Sequence, residues 1–259
     1  MKRHGGMAVL LLTAIWALAT GSVSASAQRM RPRLSDAMIT TMVEHRLIDK
    51  MVLREDNIKV MVRDGAVTLT GTVRSLAEWK HAAKEALDSD DVSSVSNELR
   101  IAKEDRTDQQ IAEDLGSEIR RYVFYDIFDW IEGSVEQNTV TLRGSVREPW
   151  RKADYERLAE GIAGVTDVKN ELDVLPLSTF DDQLRIGIAR RLYGDPRFVR
   201  YANRSLPPIH LVVKNGKITL EGVVATPLER QLAESIVRTG SLAFEVVNRL
   251  RVENNRKAG

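Results

Sequence analysis

The feature that most constrains this chain is a strand-like segment that occurs three times. The three versions are nearly the same: GAVTLTGTV (65–73), NTVTLRGSV (138–146) and GKITLEGVV (216–224). They align without a gap on a shared glycine: Gly71, Gly144 and Gly222. An asparagine follows 26 residues later in each version: Asn97, Asn170 and Asn248. Because self-similarity at a fixed spacing is the signature of a repeat architecture, the chain contains three copies of one unit, named here copies one, two and three.

The spacing of apolar residues predicts the elements of each copy. Apolar and polar residues alternate on both sides of a short turn, which predicts a β-hairpin, and a later alternating run that carries the asparagine predicts a third strand. Ahead of each hairpin, apolar residues recur every four positions, which predicts a helix: Ile39, Val43 and Leu47; Ile111, Leu115 and Ile119; Leu184, Ile188 and Leu192. Thr107 and Thr179 are the expected N-caps of this helix in copies two and three.

A second helix is expected between the hairpin and the third strand. Ser75-x-x-Glu78 and Thr226-x-x-Glu229 have the capping-box pattern, in which a hydroxyl and a carboxylate satisfy free backbone N–H groups. Prolines stand at the first helical position of copies two and three, where a missing N–H costs nothing: Pro149 and Pro227. The sequence therefore predicts an α+β protein of three tandem α-β-β-α-β units, each a three-stranded mixed sheet with two helices on one face.

The repeated glycine and asparagine are interpreted as structural rather than as ligand-binding residues. A glycine inside a strand usually marks a bulge or the close approach of another backbone. The asparagine is expected to tie a strand edge to a neighbouring loop through its side-chain amide. The motif repeated in the three copies is thus interpreted as a determinant of the fold.

The V-x-L-x-G-x-V strand, the helix after it and the V-x-N-x-L closing strand together resemble the BON domain, a family named for bacterial OsmY and nodulation proteins. The resemblance covers residues 35–255 in three domains, with predicted boundaries 35–104, 105–177 and 178–255, ahead of a short tail at 256–259. It implies a periplasmic or envelope-associated protein whose domains bind phospholipid membranes or act as interaction modules.

The first 27 residues are interpreted as a cleaved secretory signal, and an uncleaved anchor is the alternative. Lys2 and Arg3 precede an apolar run, and Ala25-Ser26-Ala27 has the small-x-small pattern of a cleavage site. Residues 28–34 then form a basic arm. Loss of the two basic residues with the signal takes the formal charge from +1 to −1, which argues against nucleic acid as a partner. The absence of cysteine excludes a lipoprotein anchor, disulfides and thiolate sites.

The sequence contains no motif that indicates catalysis. No nucleophile elbow, zinc-protease helix or phosphate loop is present. The histidines outside the signal, His45, His81 and His210, share no metal-ligand spacing. The acidic run at residues 88–91 lacks the glycine and the distal glutamate of an EF-hand. We therefore expect no enzyme activity, no cofactor, no metal and no small-molecule substrate.

Two segments that mix arginine with aromatic residues are candidates for contact with a lipid or a partner. The first lies at the end of helix one in copy two: Arg120, Arg121, Tyr122, Phe124, Tyr125 and Trp130. The second lies in an insertion of copy three: Arg197, Phe198, Arg200 and Tyr201. Tryptophan and tyrosine favour the membrane interface and arginine attracts anionic head groups. The alternative is that these aromatics pack in a core or between copies, and Asp126 and Asp129 would repel anionic lipid.

Two functions are compatible with these observations. The first is a non-enzymatic periplasmic protein that associates with anionic phospholipid and supports envelope integrity or stress tolerance. The second is a protein-interaction scaffold or chaperone-like envelope stress factor that binds other envelope proteins without direct lipid binding. Exposure of Tyr122, Phe124 and Trp130 would favour the first function. The short linker LPLST predicts that copies two and three lie close together, while nothing in the sequence sets the oligomeric state.

Overall fold

The computed structural model describes residues 33–51, 58–102 and 106–253. The predicted signal peptide, most of the predicted basic arm and the predicted tail lie outside the described residues. Within the described ranges, no helix is both long enough and apolar enough to cross a bilayer.

Each copy has the predicted α-β-β-α-β order, to which copy three adds a 3-10 turn and a short helix ahead of its hairpin. Copy one comprises α1 (Asp36–Met51), β1 (Ile58–Arg63), β2 (Ala66–Val73), α2 (Leu76–Leu87) and β3 (Ser94–Ile101). Copy two comprises α3 (Asp108–Arg121), β4 (Trp130–Glu136), β5 (Thr139–Val146), α4 (Pro149–Glu160) and β6 (Asp167–Val174). Copy three comprises α5 (Thr179–Gly194), a 3-10 turn (Pro196–Phe198), α6 (Val199–Ala202), β7 (Ile209–Lys214), β8 (Lys217–Val224), α7 (Pro227–Gly240), β9 (Glu245–Asn248) and β10 (Arg251–Val252).

The second strand of each copy is the centre of a mixed sheet. It pairs antiparallel with the first strand and parallel with the third. In copy three the third strand is divided into β9 and β10, and both parts pair with β8 in one register. The predicted α+β fold is confirmed.

One face of each sheet is buried under the two helices. In β2, for example, Val67, Leu69 and Val73 are buried while the threonines between them are not. Every apolar residue that predicted the first helices is buried in the core of its own copy. The period-four pattern therefore marked the inward face correctly.

A repeated aspartate fastens each hairpin turn to the first helix, a feature that the sequence reading missed. Its two carboxylate oxygens accept the two backbone N–H groups of the turn: Asp36 from Asp64 and Gly65, Asp108 from Gln137 and Asn138, and Asp181 from Asn215 and Gly216. The turn residues all have positive φ, the conformation of a tight hairpin turn. We call this arrangement the aspartate clamp. The aspartate lies outside the segment that aligns without a gap, because the number of residues between it and the repeated glycine differs between copies.

The repeated glycine lies where the first strand passes very close. It pairs with the isoleucine that begins the hairpin: Ile58 with Gly71, Ile131 with Gly144, and Ile209 with Gly222. A Cβ at Gly144 would overlap the carbonyl oxygen of Trp130, and one at Gly222 would overlap that of Pro208. The φ angles of the three glycines lie between 114° and 126°, which other residues rarely adopt.

The repeated asparagine was expected to tie the third strand to a loop. The structure shows that it joins this strand to the second helix instead. Its amide nitrogen donates to a helix carbonyl oxygen: Asn97 to Trp79, Asn170 to Lys152 and Asn248 to Arg230, at 2.8–2.9 Å. Its side-chain oxygen accepts the N–H group two residues further on. The side chain therefore locks helix to strand at the same point in each copy.

Two predicted caps differ from expectation in detail. The N-cap of α5 is Ser178, whose hydroxyl accepts the Asp181 N–H, and Thr179 is the first helical residue. At α2 the Ser75 hydroxyl caps the helix as predicted, but the Glu78 carboxylate accepts the N–H of Arg74 rather than that of Ser75. The capping box at Thr226 is complete.

Candidate functional site

The first arginine–aromatic segment is divided by the fold into two environments. It begins in the last turn of α3 and ends at the first residue of β4. Phe124 faces solvent, whereas Tyr125 and Trp130 face copy three. The segment is therefore partly surface and partly junction, and of the three residues whose exposure would favour lipid contact, only Phe124 is exposed.

The solvent-facing part joins residues from two elements into one apolar surface, which we call the aromatic patch: Val123, Phe124 and Trp150. These side chains are 82%, 49% and 45% exposed. The rings of Phe124 and Trp150 meet edge to face with centroids 5.0 Å apart. Trp150, at the start of α4, was not among the predicted residues, because only the fold brings it beside Phe124.

Tyr122 supports the patch from beneath. Its ring contacts Phe124 at 5.7 Å and the buried Tyr155 at 5.0 Å between centroids. Its hydroxyl donates to the carboxylate of Asp154. Burial and this carboxylate raise the pKa of Tyr122 above its ordinary value, so the hydroxyl stays protonated. Tyr122 therefore positions the patch instead of forming part of its surface.

Two arginines end α3, directly before the loop that carries Phe124. The Arg121 side chain is 73% exposed and pairs with Glu118 at 2.8 Å on the same helix. Arg120 donates to the Ser117 hydroxyl at 3.2 Å and lines a cleft between copies two and three. The two guanidinium groups thus leave the end of α3 in different directions.

The two aspartates that were expected to repel anionic lipid are bound by cations. Asp129 is fully buried, and its carboxylate accepts from Arg151 at 2.5 Å and from the backbone N–H of Arg147 at 3.0 Å. Burial raises the pKa of Asp129, and these two donors oppose the shift. Asp126 pairs with both arginines, at 2.9 Å and 3.2 Å. Neither carboxylate therefore presents an unbalanced negative charge.

The inward part of the segment forms the junction with copy three. His210, at the start of β7, is 3% exposed and stacks on Tyr125 with centroids 5.3 Å apart, while Trp130 lies 5.2 Å away. Its Nδ1 lies 2.6 Å from the carbonyl oxygen of Asp129, which makes Nδ1 the protonated nitrogen. The Leu211 N–H donates to the carbonyl oxygen of Ile127 across the same junction. Copies two and three are therefore in contact, as the short linker predicted.

The second predicted segment, in the copy-three insertion, serves mainly to complete its own domain. Phe198 and Tyr201 are 0% and 3% exposed and belong to the core of copy three, so neither is a surface contact. Arg200 pairs with Glu229 and lies over the Tyr201 ring. Arg197 pairs with Asp195 at 2.7 Å, and its hydrogen bonds lower the pKa of that carboxyl to about 2. The positive charges of Arg197 and Arg200 are thus matched locally.

The described part of the chain shows no group of three or more histidine, aspartate or glutamate side chains arranged to hold a metal ion. A cleft of about 590 Å³ lies between the outer sheet faces of copies two and three, and Glu221 is one of its lining residues. Burial raises the pKa of Glu221, and Arg249, at 3.3 Å, opposes the shift. This cleft was not predicted from the sequence.

Comparison with known proteins finds one domain type along the chain. The sequence matches the BON domain at residues 35–103, 107–176 and 197–254. Over 156 residues it is 28% identical to osmotically-inducible protein Y of Escherichia coli (strain K12), a stretch that covers 58% of this chain and 78% of that protein.

Two solved structures of CdsD, a structural protein of the type III secretion system of Chlamydia trachomatis, are also similar. One, the C-terminal domain, is 12% identical with a TM-score of 0.24, covering 85% of this chain and 99% of that one. The other is 14% identical with a TM-score of 0.23, covering 81% and 90%.

Proposed function

Because this chain belongs to the BON-domain family, we propose that it is a non-enzymatic envelope protein of the osmotic-stress response whose second domain associates with anionic phospholipid. The stress role rests on the similarity to osmotically-inducible protein Y. Export to the periplasm rests on the predicted signal peptide and on the location that the family resemblance implied. The lipid contact rests on the surface of copy two.

The observation that carries the lipid proposal is the aromatic patch. Exposed apolar surface of this kind marks interaction sites, since isolated domains normally bury large aromatic side chains. Trp150 and Phe124 are amphipathic or apolar rings of the kind that enter the head-group region. Val123, the chain neighbour of Phe124, adds an aliphatic side chain that is 82% exposed.

Electrostatics favours anionic lipid over neutral lipid. Arg121, two residues before Val123 in the chain, is exposed and pairs with Glu118, while the carboxylates of Asp126 and Asp129 are paired with arginines. A cation near an anionic membrane surface contributes about 1 kcal/mol and is screened by salt. One small patch and one or two arginines therefore support a weak, reversible and salt-sensitive association.

Co-flotation with liposomes tests this proposal. The wild-type protein is expected to float with anionic vesicles at low salt and to lose this binding at high salt or with zwitterionic vesicles. The double variant Phe124→Ser, Trp150→Ser should lose at least about tenfold in binding, because each aromatic contributes on the order of 1 kcal/mol or more at an interface. Arg121→Gln should weaken binding only at low salt.

Leu228→Ser is the matched control, because Leu228 is 72% exposed at the corresponding position of copy three. It should bind vesicles as the wild type does. Binding by none of these proteins under any condition would refute the lipid proposal, and equal loss in Leu228→Ser would show that the patch is not the contact.

A protein-interaction scaffold is the second candidate function. It is favoured by a separate apolar surface in copy three, where Leu242 and Phe244 are each 81% exposed. An exposed apolar surface of this kind fits a protein as its partner.

A further inference from the structure

The first strand of each hairpin has one edge that does not face the second strand. A two-residue turn closes on a hydrogen-bonded pair, and such pairs alternate with unbonded pairs along an antiparallel ladder. The closing pair is Glu136 with Thr139 in copy two and Lys214 with Lys217 in copy three. Every second residue before it therefore points its backbone N–H and C=O groups away from the hairpin: Ile131, Gly133 and Val135 in copy two, and Ile209, Leu211 and Val213 in copy three.

Copy three covers this outward edge with hydrogen bonds. Arg185, on α5, donates to the Val213 carbonyl oxygen at 2.6 Å, and the Tyr193 hydroxyl, on the same helix, donates to the carbonyl oxygen of Ile209. The Leu211 N–H donates to a carbonyl oxygen of copy two. An edge that is covered in this way cannot recruit another strand.

Copy two lacks the side chains that would cover its own edge. Counted from the clamp aspartate, Ala112 occupies the position of Arg185, and Arg120 occupies that of Tyr193. Alanine has no donor, and the Arg120 guanidinium donates to the Ser117 hydroxyl on its own helix at 3.2 Å. In the part of the chain that the structure describes, no hydrogen bond from another element reaches the outward backbone groups of β4.

This uncovered edge lines a cleft of about 380 Å³ between copies two and three, which we call the edge cleft. Ile131 and Gly133 represent β4 in its lining, and Ala112 and Gly116 are the small residues that α3 contributes. Copy three contributes Pro207-Pro208, which has no N–H group to offer to a carbonyl oxygen of β4. The volume is at the lower end of the range for ligand sites, so the edge cleft admits a short extended segment.

Arg120 gives the edge cleft a positive charge. It is an exposed lining residue, and it forms no ion pair with any residue that the structure describes. Burial raises the pKa of the Tyr125 hydroxyl in the same cleft, and the charge of Arg120 opposes this shift. Because a carboxylate is the strongest hydrogen-bonding partner of a guanidinium, an acidic side chain suits this position.

We propose that copy two binds an extended, acidic peptide segment of a protein partner by adding it as a strand to the free edge of β4. The N–H groups of the segment donate to the carbonyl oxygens of Ile131 and Gly133, and its acidic side chain pairs with Arg120. An acyl chain fits less well, because it would enclose these backbone groups without hydrogen bonds. The proposal is independent of the lipid association, since neither Phe124 nor Trp150 lines the edge cleft.

Amide NMR of the full-length protein tests the proposal, with synthetic peptides as probes. The probes are short acetylated peptides of alternating valine and threonine, with one aspartate at a different position in each. At least one should shift the amide signals of the edge cleft at millimolar concentration and slow hydrogen exchange of the Gly133 amide. Only every second amide of an added strand faces β4. N-methylation of one alternating set of amides should therefore weaken binding by about tenfold or more, and N-methylation of the other set should not.

Ala112→Arg transfers to copy two the side chain with which copy three covers its edge, and it should weaken peptide binding by about tenfold or more. Gln109→Arg is the matched control. It adds the same side chain and charge at an exposed position of α3 outside the edge cleft, and it should bind the peptide as the wild type does. Arg120→Gln should weaken binding of the aspartate peptide but not of the same peptide with asparagine.

The lipid proposal and this one can fail separately, because Ala112→Arg should float with anionic vesicles as the wild type does. No change at the Gly133 amide with any peptide would overturn strand addition. Equal binding of the two methylated sets would overturn it as well, since the contact would then not be a strand pairing, and so would full peptide binding by Ala112→Arg. If octanoate shifts the amide signals of the edge cleft and no peptide does, the cleft is a site for an acyl chain instead.

Discussion

At the scale of single residues, the three copies act as internal controls for one another. Where they agree, the reason is a local physical constraint, as at the glycine that faces the first strand. Where copy two alone has a glycine, at Gly133, the neighbouring Leu115 side chain occupies the space that a Cβ would need. Val60 and Leu211 stand at the same position in the other copies and are buried. The two kinds of glycine should respond differently to substitution.

Gly144→Ala should destabilise copy two by at least about 3 kcal/mol, because it adds strain at positive φ to an overlap with a backbone oxygen. Gly133→Ala should cost clearly less, because the end of the Leu115 side chain can move. Urea unfolding followed by tryptophan fluorescence compares the two variants. Equal losses would contradict the distinction between backbone and side-chain overlap.

At the scale of elements, the aspartate clamp explains why each hairpin has a fixed position relative to its first helix. A carboxylate can accept from both N–H groups of the turn, whereas an amide offers only one accepting atom. The three clamps differ in burial: Asp181 is fully buried, while Asp36 and Asp108 are partly exposed. An unsatisfied buried N–H costs more than an exposed one, because water cannot replace the lost acceptor.

Asp181→Asn should therefore destabilise copy three by about 1–3 kcal/mol, and Asp36→Asn should destabilise copy one by less. Amide hydrogen exchange at Asn215 and Gly216, compared with Asp64 and Gly65, measures each effect at the turn itself. Exchange rates that rise equally in both variants would show that burial of the carboxylate does not set the cost.

Elements were more predictable from the sequence than the surfaces that they form. The helices and hairpins follow from periodicity, since Ile111, Leu115 and Ile119 must share one face of any helix. The patch made by Phe124 and Trp150 could not be predicted in this way, because it depends on how α3 and α4 pack. Phe198 and Tyr201 were misleading for a related reason: an insertion that reads as a basic loop folds back into its own core.

At the scale of the whole molecule, the two junctions between domains use unlike chemistry. Between copies one and two, the Gly164 N–H donates to the Arg74 carbonyl oxygen at 2.8 Å, and Lys80 pairs with Glu160 at 2.5 Å. Between copies two and three, the His210 imidazole is buried beside aromatic rings of copy two. Burial lowers the pKa of His210 below its ordinary value of 6.5, while its contact with Asp129 and the nearby charge of Asp126 oppose the shift. Protonation of His210 is thus disfavoured in the docked state.

The sign of this shift predicts a junction that loosens in acid. Because docking lowers the pKa of His210, the imidazole is neutral and the junction is intact above pH 6.5. Below pH 6.5 the free-energy cost of keeping His210 neutral in the docked state grows as the pH falls. The equilibrium constant for opening of the junction should increase by at most about tenfold for each unit by which the pH falls. Protection of the Leu211 amide, corrected for intrinsic exchange, reports it directly.

The Gly164 amide, at the junction of copies one and two, is the internal control and should show no such dependence. His210→Gln should remove the pH effect at Leu211. A Leu211 amide with the same corrected protection at pH 8 and pH 5 would contradict the prediction.

The unlike junctions also bear on how a chain of this kind can evolve by duplication. A solenoid lengthens freely because every repeat offers its neighbour the same surface. Here His210 of copy three packs against Tyr125 and Trp130 of copy two. The hydrogen bond of the Gly164 N–H joins only copies one and two. A chain with the last two copies exchanged would keep the core residues of each copy, but neither junction would find its counterpart. The two junctions therefore depend on the order of the domains as well as on their number.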